Sequence, residues 1–182
     1  MTMKIEEAYI EGLKIIRLDK FSDNRGSFLK VYNIEFFKEN YLQTDFKESY
    51  FSVSNKNVLR GMHFQIPPCE HVKLVYLNQG RIIDVILDIR KGSATYGQYF
   101  STELSQNNPI LVYIPVGCAH GFLSLEDNSI VSYLQTSSYS KEFDTGVRWD
   151  SFGMKWRIKN PIISQRDNSF TSLADFKSLF IK

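Results

Sequence analysis

Cysteine is scarce: Cys69 and Cys118 are the only two in 182 residues. Two thiols make no disulfide framework, so the chain reads as a cytoplasmic protein in a reducing compartment. Excess charge of one sign is missing too. The 22 Lys and Arg against 20 Asp and Glu leave a formal net charge of +2, which argues for neither nucleic acid nor a membrane surface as partner. No apolar run approaches the roughly 20 residues that span a bilayer. The first seven residues, Met1 to Glu7, lack the apolar stretch of a signal peptide. Histidine is nearly as rare as cysteine, with three in the chain.

What remains is an ordinary globular composition rich in aromatics, with 14 Phe and 10 Tyr, residues that favour strands. The length fits one domain over 1–182 with a full hydrophobic core. There is no linker, low-complexity stretch or fixed-period repeat. Short apolar runs bounded by turn residues predict strands at 14–18, 27–32, 49–53, 58–65, 72–78, 81–88, 97–104, 111–114, 119–125 and 130–135. Asn78-Gln79-Gly80 predicts a tight turn that joins two of them into a hairpin. Short helices are expected at 34–41 and 173–180. The pattern is all-β: a sandwich, jelly roll or barrel.

Two of the three histidines sit where a strand meets a turn, in Arg60-Gly61-Met62-His63-Phe64-Gln65 and Pro115-Val116-Gly117-Cys118-Ala119-His120-Gly121-Phe122. Imidazole exchanges a proton near neutral pH, so the two segments mark a chemical site. The second segment resembles the Pro-x-Gly-x-x-His motif of cupin barrels. The first departs from the cupin metal motif, because Gln65 stands two residues after His63, and Gln is a poor ligand for zinc or iron. A cage of His63, His120 and either Glu70 or His71 is the metal alternative; the expected state is metal-free. Acid–base chemistry next to a carbonyl fits better: a histidine base, a cation to stabilise an enolate, and a second group on the far side to return the proton. Lys73 is conspicuous in an otherwise apolar strand, since a buried ammonium needs a reason to be there.

A longer set of blocks resembles the dTDP-4-dehydrorhamnose 3,5-epimerase family. They are Asp23-Asn24-Arg25-Gly26-Ser27-Phe28, Val58 to Gln65, Lys73-Leu74-Val75, Gly80 with Asp84-Val85, Asp88-Ile89-Arg90 with Gly92 to Gly97, Ile114-Pro115 with Ala119 to Phe122, and Tyr133. They run in the family's order from about residue 10 to 170. The resemblance implies a cupin jelly-roll barrel with a few short helices, an epimerase that uses no cofactor, and a homodimer in which an N-terminal strand serves the neighbour's site. It implies His63 as base, Asp167 as the carboxylate that orients it, Tyr133 as acid and Lys73 as enolate stabiliser. Arg25 and Arg60 would hold the diphosphate, and His120 and Gln65 the substrate.

The chain departs from the family at Lys30 (usually Glu), Glu48 (usually Gln), Tyr50 (usually Asn) and Ser138-Tyr139 (usually Tyr-Tyr), positions around the nucleotide. Glu48 matches the N1–H and N2–H donors of guanine, and Ser138 leaves room for a purine. The expected substrate is therefore a GDP-linked 4-keto heptose of capsule or surface-polysaccharide synthesis. The alternatives are a dTDP-4-keto-6-deoxyglucose 3,5-epimerase or a C3-only epimerase. From other classes come a metal-dependent cupin and a non-catalytic sugar-nucleotide binding module.

Overall fold

A computed structural model describes residues 3–181. Thirteen strands and two short helices occur among them. The strands are β1 (Lys4–Glu7), β2 (Lys14–Arg17), β3 (Lys20–Asp23), β4 (Gly26–Leu29), β5 (Glu48–Ser54), β6 (Leu59–Gln65), β7 (Lys73–Gln79), β8 (Arg81–Asp88), β9 (Tyr99–Ser105), β10 (Ile110–Ile114), β11 (Cys118–Ser124), β12 (Ser129–Gln135) and β13 (Asp144–Gly146). The helices are α1 (Ile34–Glu39) and α2 (Gln165–Asn168).

One antiparallel sheet runs β1-β2-β10-β7-β12-β5, and the other runs β13-β6-β11-β8-β9. A separate hairpin, β3–β4, stands apart from both. The two large sheets face each other as a cupin jelly roll. No helix among the described residues is long and apolar enough to cross a membrane.

Alternation along each strand builds three apolar layers. Ile82 and Ile86 of β8, Val112 of β10, Phe122 of β11 and Val131 of β12 pack between the sheets. Their strand neighbours Ile83, Val85, Leu87 and Leu123 point outward, where the C-terminal segment covers them with Trp149, Trp156, Phe176 and Phe180. The outer face of the other sheet is covered by α1, through Phe37, together with Leu42 and Phe46. Asn33 caps α1 by accepting from the Phe36 N–H, as N-cap residues do.

All ten expected strands are present, with ends shifted by up to three residues. Three short ones, β1, β3 and β13, lack any apolar run and were not expected. Two expectations fail. The first is the hairpin at Asn78-Gln79-Gly80: β7 pairs with β10 and β12, while β8 pairs with β11 and β9. The chain crosses from one sheet to the other there. Gly80 has φ +86°, and a Cβ on it would lie 2.4 Å from Ser129 Oγ, so the corner needs glycine both for its backbone and for its space. The second is the helix at 173–180. Leu173, Phe176 and Phe180 have helical spacing, but the backbone bonds outward: the Lys91 N–H donates to Phe180 O, and Ile181 bridges Lys91.

Candidate active site

The functional side chains occupy the inward positions of their strands at one end of the barrel. Glu48, Tyr50 and Ser52 come from β5, His63 and Gln65 from β6, Lys73 from β7, His120 from β11, Tyr133 and Gln135 from β12 and Asp144 from β13. With Arg60, His71, Tyr139 and Arg166 they line a cavity of about 610 Å³, a size that suits a small-molecule ligand. The apolar core fills the rest of the interior.

His63 is oriented from a distant part of the chain. Its Nε2 lies 2.8 Å from Asp167 Oδ1. The other carboxylate oxygen accepts the Gly61 N–H at 3.1 Å. Asp167 lies on α2, whose N-cap Ser164 accepts the Asp167 N–H through Oγ. Burial works to raise the Asp167 pKa. The hydrogen bonds and the neighbouring imidazole outweigh it and hold the carboxyl below its ordinary range. An ionised Asp167 accepts a hydrogen bond from Nε2–H, which leaves Nδ1 as the unprotonated nitrogen of a ring that lines the cavity. Phe170 sets its ring edge against His63 at a centroid distance of 5.8 Å. Gly146, opposite His63 in the β13–β6 register, makes this possible. A Cβ there would lie 2.4 Å from the Phe170 ring and 2.5 Å from Met62 O.

The facing sheet supplies the other reactive groups. Tyr133 is buried, and burial pushes its phenol above the ordinary tyrosine value. Its hydroxyl lies 3.2 Å from Ser52 Oγ. Lys73 is also buried; loss of solvation pulls its ammonium down to about 8, against the opposing pull of Asp144 and Asp84. A cation poised there is available to an anion that enters the cavity.

His120 and Asp84 form a second pair, with Nε2 to Oδ1 at 2.6 Å. Burial lowers the His120 pKa, and Asp84 opposes that shift. Asp84 Oδ2 is buried with no hydrogen-bond partner among the described residues. Asp84 was legible only as part of a family block with no role attached. Asp144 and Arg166 were not foreseen at all. They pair at 2.6 Å on the cavity wall, and the Arg166 guanidinium also lies over the Phe170 ring at 5.1 Å. No motif in the sequence marks them.

The remaining expected residues divide. Arg60 lines the cavity, donating to Ser54 Oγ at 3.0 Å and to Val53 O at 3.2 Å. Among the described residues no carboxylate pairs with it. Gln65 lines the cavity, but its amide is committed: it donates to Cys69 O and Ser137 Oγ and accepts the Ser140 N–H. It acts as a clamp on two loops. Glu48 also lines the cavity with both oxygens engaged, by Gln135 Nε2 at 2.9 Å and the Tyr139 N–H at 3.0 Å. That weakens its reading as an open acceptor for guanine. Arg25 is not in the cavity. It sits exposed at the tip of the β3–β4 hairpin, paired with Asp23 at 2.6 Å.

His71 joins neither histidine pair. Its Nδ1 lies near Gln65 Nε2 and Ser137 Oγ, and burial followed by the Lys73 charge drives its pKa to about 3. Among the described residues no three His, Cys, Asp or Glu side chains are grouped to hold a metal ion. Both cysteines are free thiols; Cys118 is buried, which pushes its pKa up to about 12.

Sequence comparison places this geometry. The profile of the dTDP-4-dehydrorhamnose 3,5-epimerase family matches residues 7–175. A dTDP-4-dehydrorhamnose 3,5-epimerase of Methanothermobacter thermautotrophicus is 39% identical over 171 residues, covering 91% of this chain and 92% of that protein. One of Sinorhizobium fredii is 36% identical, covering 97% and 95%. The crystal structure of a Legionella pneumophila dTDP-6-deoxy-D-glucose-3,5-epimerase in complex with dTDP-4-keto-L-rhamnose superposes with a TM-score of 0.91 at 32% identity, covering 97% of this chain and 95% of that one.

Proposed function

The chain belongs to the dTDP-4-dehydrorhamnose 3,5-epimerase family of isomerases, and we propose that it epimerises C3 and C5 of a dTDP-linked 4-keto-6-deoxy sugar. The observation that carries this reading is the placement of base and acid on facing sheets. His63, held by Asp167, projects from β6; Tyr133 and Lys73 project from β12 and β7 across the same cavity. A sugar ring between the sheets meets a proton acceptor on one face and a proton donor on the other.

The chemistry follows from the C4 ketone, which acidifies the hydrogens on C3 and C5. His63 Nδ1 takes the proton from C3, and the C–H electron pair moves to the C4 oxygen as an enolate. The Lys73 ammonium stabilises that oxyanion. Tyr133 then gives its phenolic proton to the opposite face of C3, which inverts the centre. Solvent reprotonates the phenolate and takes the proton from His63, and the cycle repeats at C5. Each positioned acid or base of this kind contributes about 10²–10⁴-fold. Arg60 is the diphosphate ligand, as a guanidinium without a carboxylate partner suits.

The expectation of a GDP-linked heptose finds no support. The relatives compared are named for dTDP-linked substrates, and Glu48 is already engaged by Gln135 and Tyr139. Arg25 enters the reading through assembly: two copies pair so that the β3–β4 hairpin of one brings Arg25 to the diphosphate in the other's cavity. Exposed Phe21 and Phe28 on that hairpin favour a partner surface.

The test is incubation in D2O with dTDP- and GDP-linked 4-keto sugars, read by mass. The dTDP sugar gains two deuterons, and His63→Asn gains none. A single deuteron would make the enzyme C3-only. Faster exchange with the GDP sugar would restore the guanine reading. No exchange with either substrate, the same as His63→Asn, would leave a binding module.

A further inference from the structure

We infer that Tyr50 is a positioning residue for Tyr133, fixing the direction from which the acid delivers its proton. The inference rests on the reading of Tyr133 as the acid. Tyr50 and Tyr133 are register partners across β5 and β12. Their rings are stacked, with centroids 4.8 Å apart and planes 20° from parallel. The His120 ring meets Tyr133 from another side at 6.1 Å and 68°. Among the described residues the Tyr133 hydroxyl has one hydrogen-bond partner, the Ser52 hydroxyl. Most of what holds the phenol's direction is therefore ring contact, and the largest flat contact is Tyr50.

Tyr50 is itself tethered. Its hydroxyl donates to Gln135 Oε1 at 3.2 Å. Gln135 Nε2 donates to Glu48 Oε2, and Glu48 Oε1 accepts the Tyr139 N–H. Strand β5 is the edge of its sheet, so no further strand fixes Tyr50 from behind. The chain Tyr50–Gln135–Glu48–Tyr139 does that work and carries it along the cavity wall. Burial raises the Tyr50 phenol to about 12, which keeps it a neutral donor to Gln135 over the working range of pH.

The chemistry supplies a readout that separates positioning from simple damage. When His63 returns a deuteron to the face it took the proton from, substrate is recovered labelled but not inverted. When Tyr133 delivers from the other face, epimer forms. Misdirecting Tyr133 slows inversion and leaves the first step intact. Tyr50→Leu, which removes the stack, is expected to slow epimer formation about tenfold or more, with deuterium entry into recovered substrate changing by less than about twofold. The ratio of labelled substrate to epimer therefore rises. Tyr50→Phe keeps the ring and cuts the tether, and gives a smaller rise in the same ratio. Equal losses of exchange and inversion in both variants, leaving the ratio at the wild-type value, would overturn the inference. Absence of exchange in the wild-type protein would instead overturn the parent reading. Tyr50→Phe removes one hydroxyl and keeps the ring, so the test stays available if Tyr50→Leu does not fold.

Discussion

Lys73 holds a charge where solvation is poor, and the fold opposes it. Its pKa falls from 10.5 to about 8, chiefly through burial. Below about 8 both folded and unfolded chains carry the proton, and the full penalty applies. As pH rises from about 8 toward 10.5 the folded chain sheds its proton first, and the penalty fades. Lys73→Met is therefore expected to gain about 0.5–2 kcal/mol of stability at pH 7, with a smaller gain at pH 9.5, while losing epimerase activity. Denaturant unfolding at the two pH values checks the sign. In the wild-type enzyme, activity falls as pH rises through the Lys73 titration. Much of the site's membership was legible at this scale, through the family resemblance. His63, Tyr133, Lys73 and Asp167 fall together because each occupies an inward strand position or docks against one. Asp84 was legible only within a family block, and Asp144 and Arg166 not at all: no motif marks their partners, 36, 22 and 22 residues away in sequence, and only the fold brings them together. Glu48 was read as a substrate ligand from its departure from the family pattern, and Gln65 from the resemblance itself. The hydrogen bonds that occupy them, from strand β12 and from loops, are a tertiary fact.

At the scale of elements, β6, β13 and α2 form the unit that holds the proposed base, His63. Gly146 lets Phe170 close over His63, so α2 sits near enough for Asp167 to reach it. Gly146→Ala is expected to cost about 1–3 kcal/mol, as overpacking does, and to lower kcat with little change in KM, because the dyad loosens while the nucleotide end of the cavity is untouched. Urea unfolding and steady-state kinetics measure the two effects. Strand positions were readable because alternation is local. What each strand pairs with was not. Asn78-Gln79-Gly80 has the composition of a hairpin turn, yet it serves as a corner between sheets, and the pairing of β7 with β10 and β12 decides that from far away in sequence. The segment 173–180 shows the opposite failure. Its helical spacing is genuine, but the apolar side chains cover a sheet face, the Phe180 carbonyl accepts the Lys91 N–H and the Ser178 hydroxyl donates to Ile89 O.

For the whole molecule, the hairpin β3–β4 raises the question of assembly, and the answer can be read by mixing. Arg25→Ala and His63→Asn are each expected to be poor enzymes. If the hairpin serves the neighbouring site, a mixed dimer contains one site with both wild-type residues. Co-refolding equal amounts then recovers up to about a quarter of wild-type activity by random pairing; if Arg25 acts within its own chain, mixing recovers nothing beyond the average of the two variants. A last consequence comes from the span between His63 and Asp167, 104 residues apart. The proposed base comes from one part of the chain and the group that aligns it from another. A copy cut short before α2 would close most of the barrel yet lack the carboxylate that sets the imidazole. Closing the barrel and aligning the imidazole are thus separable events: a folded cavity without a docked α2 can hold a ligand and still turn nothing over.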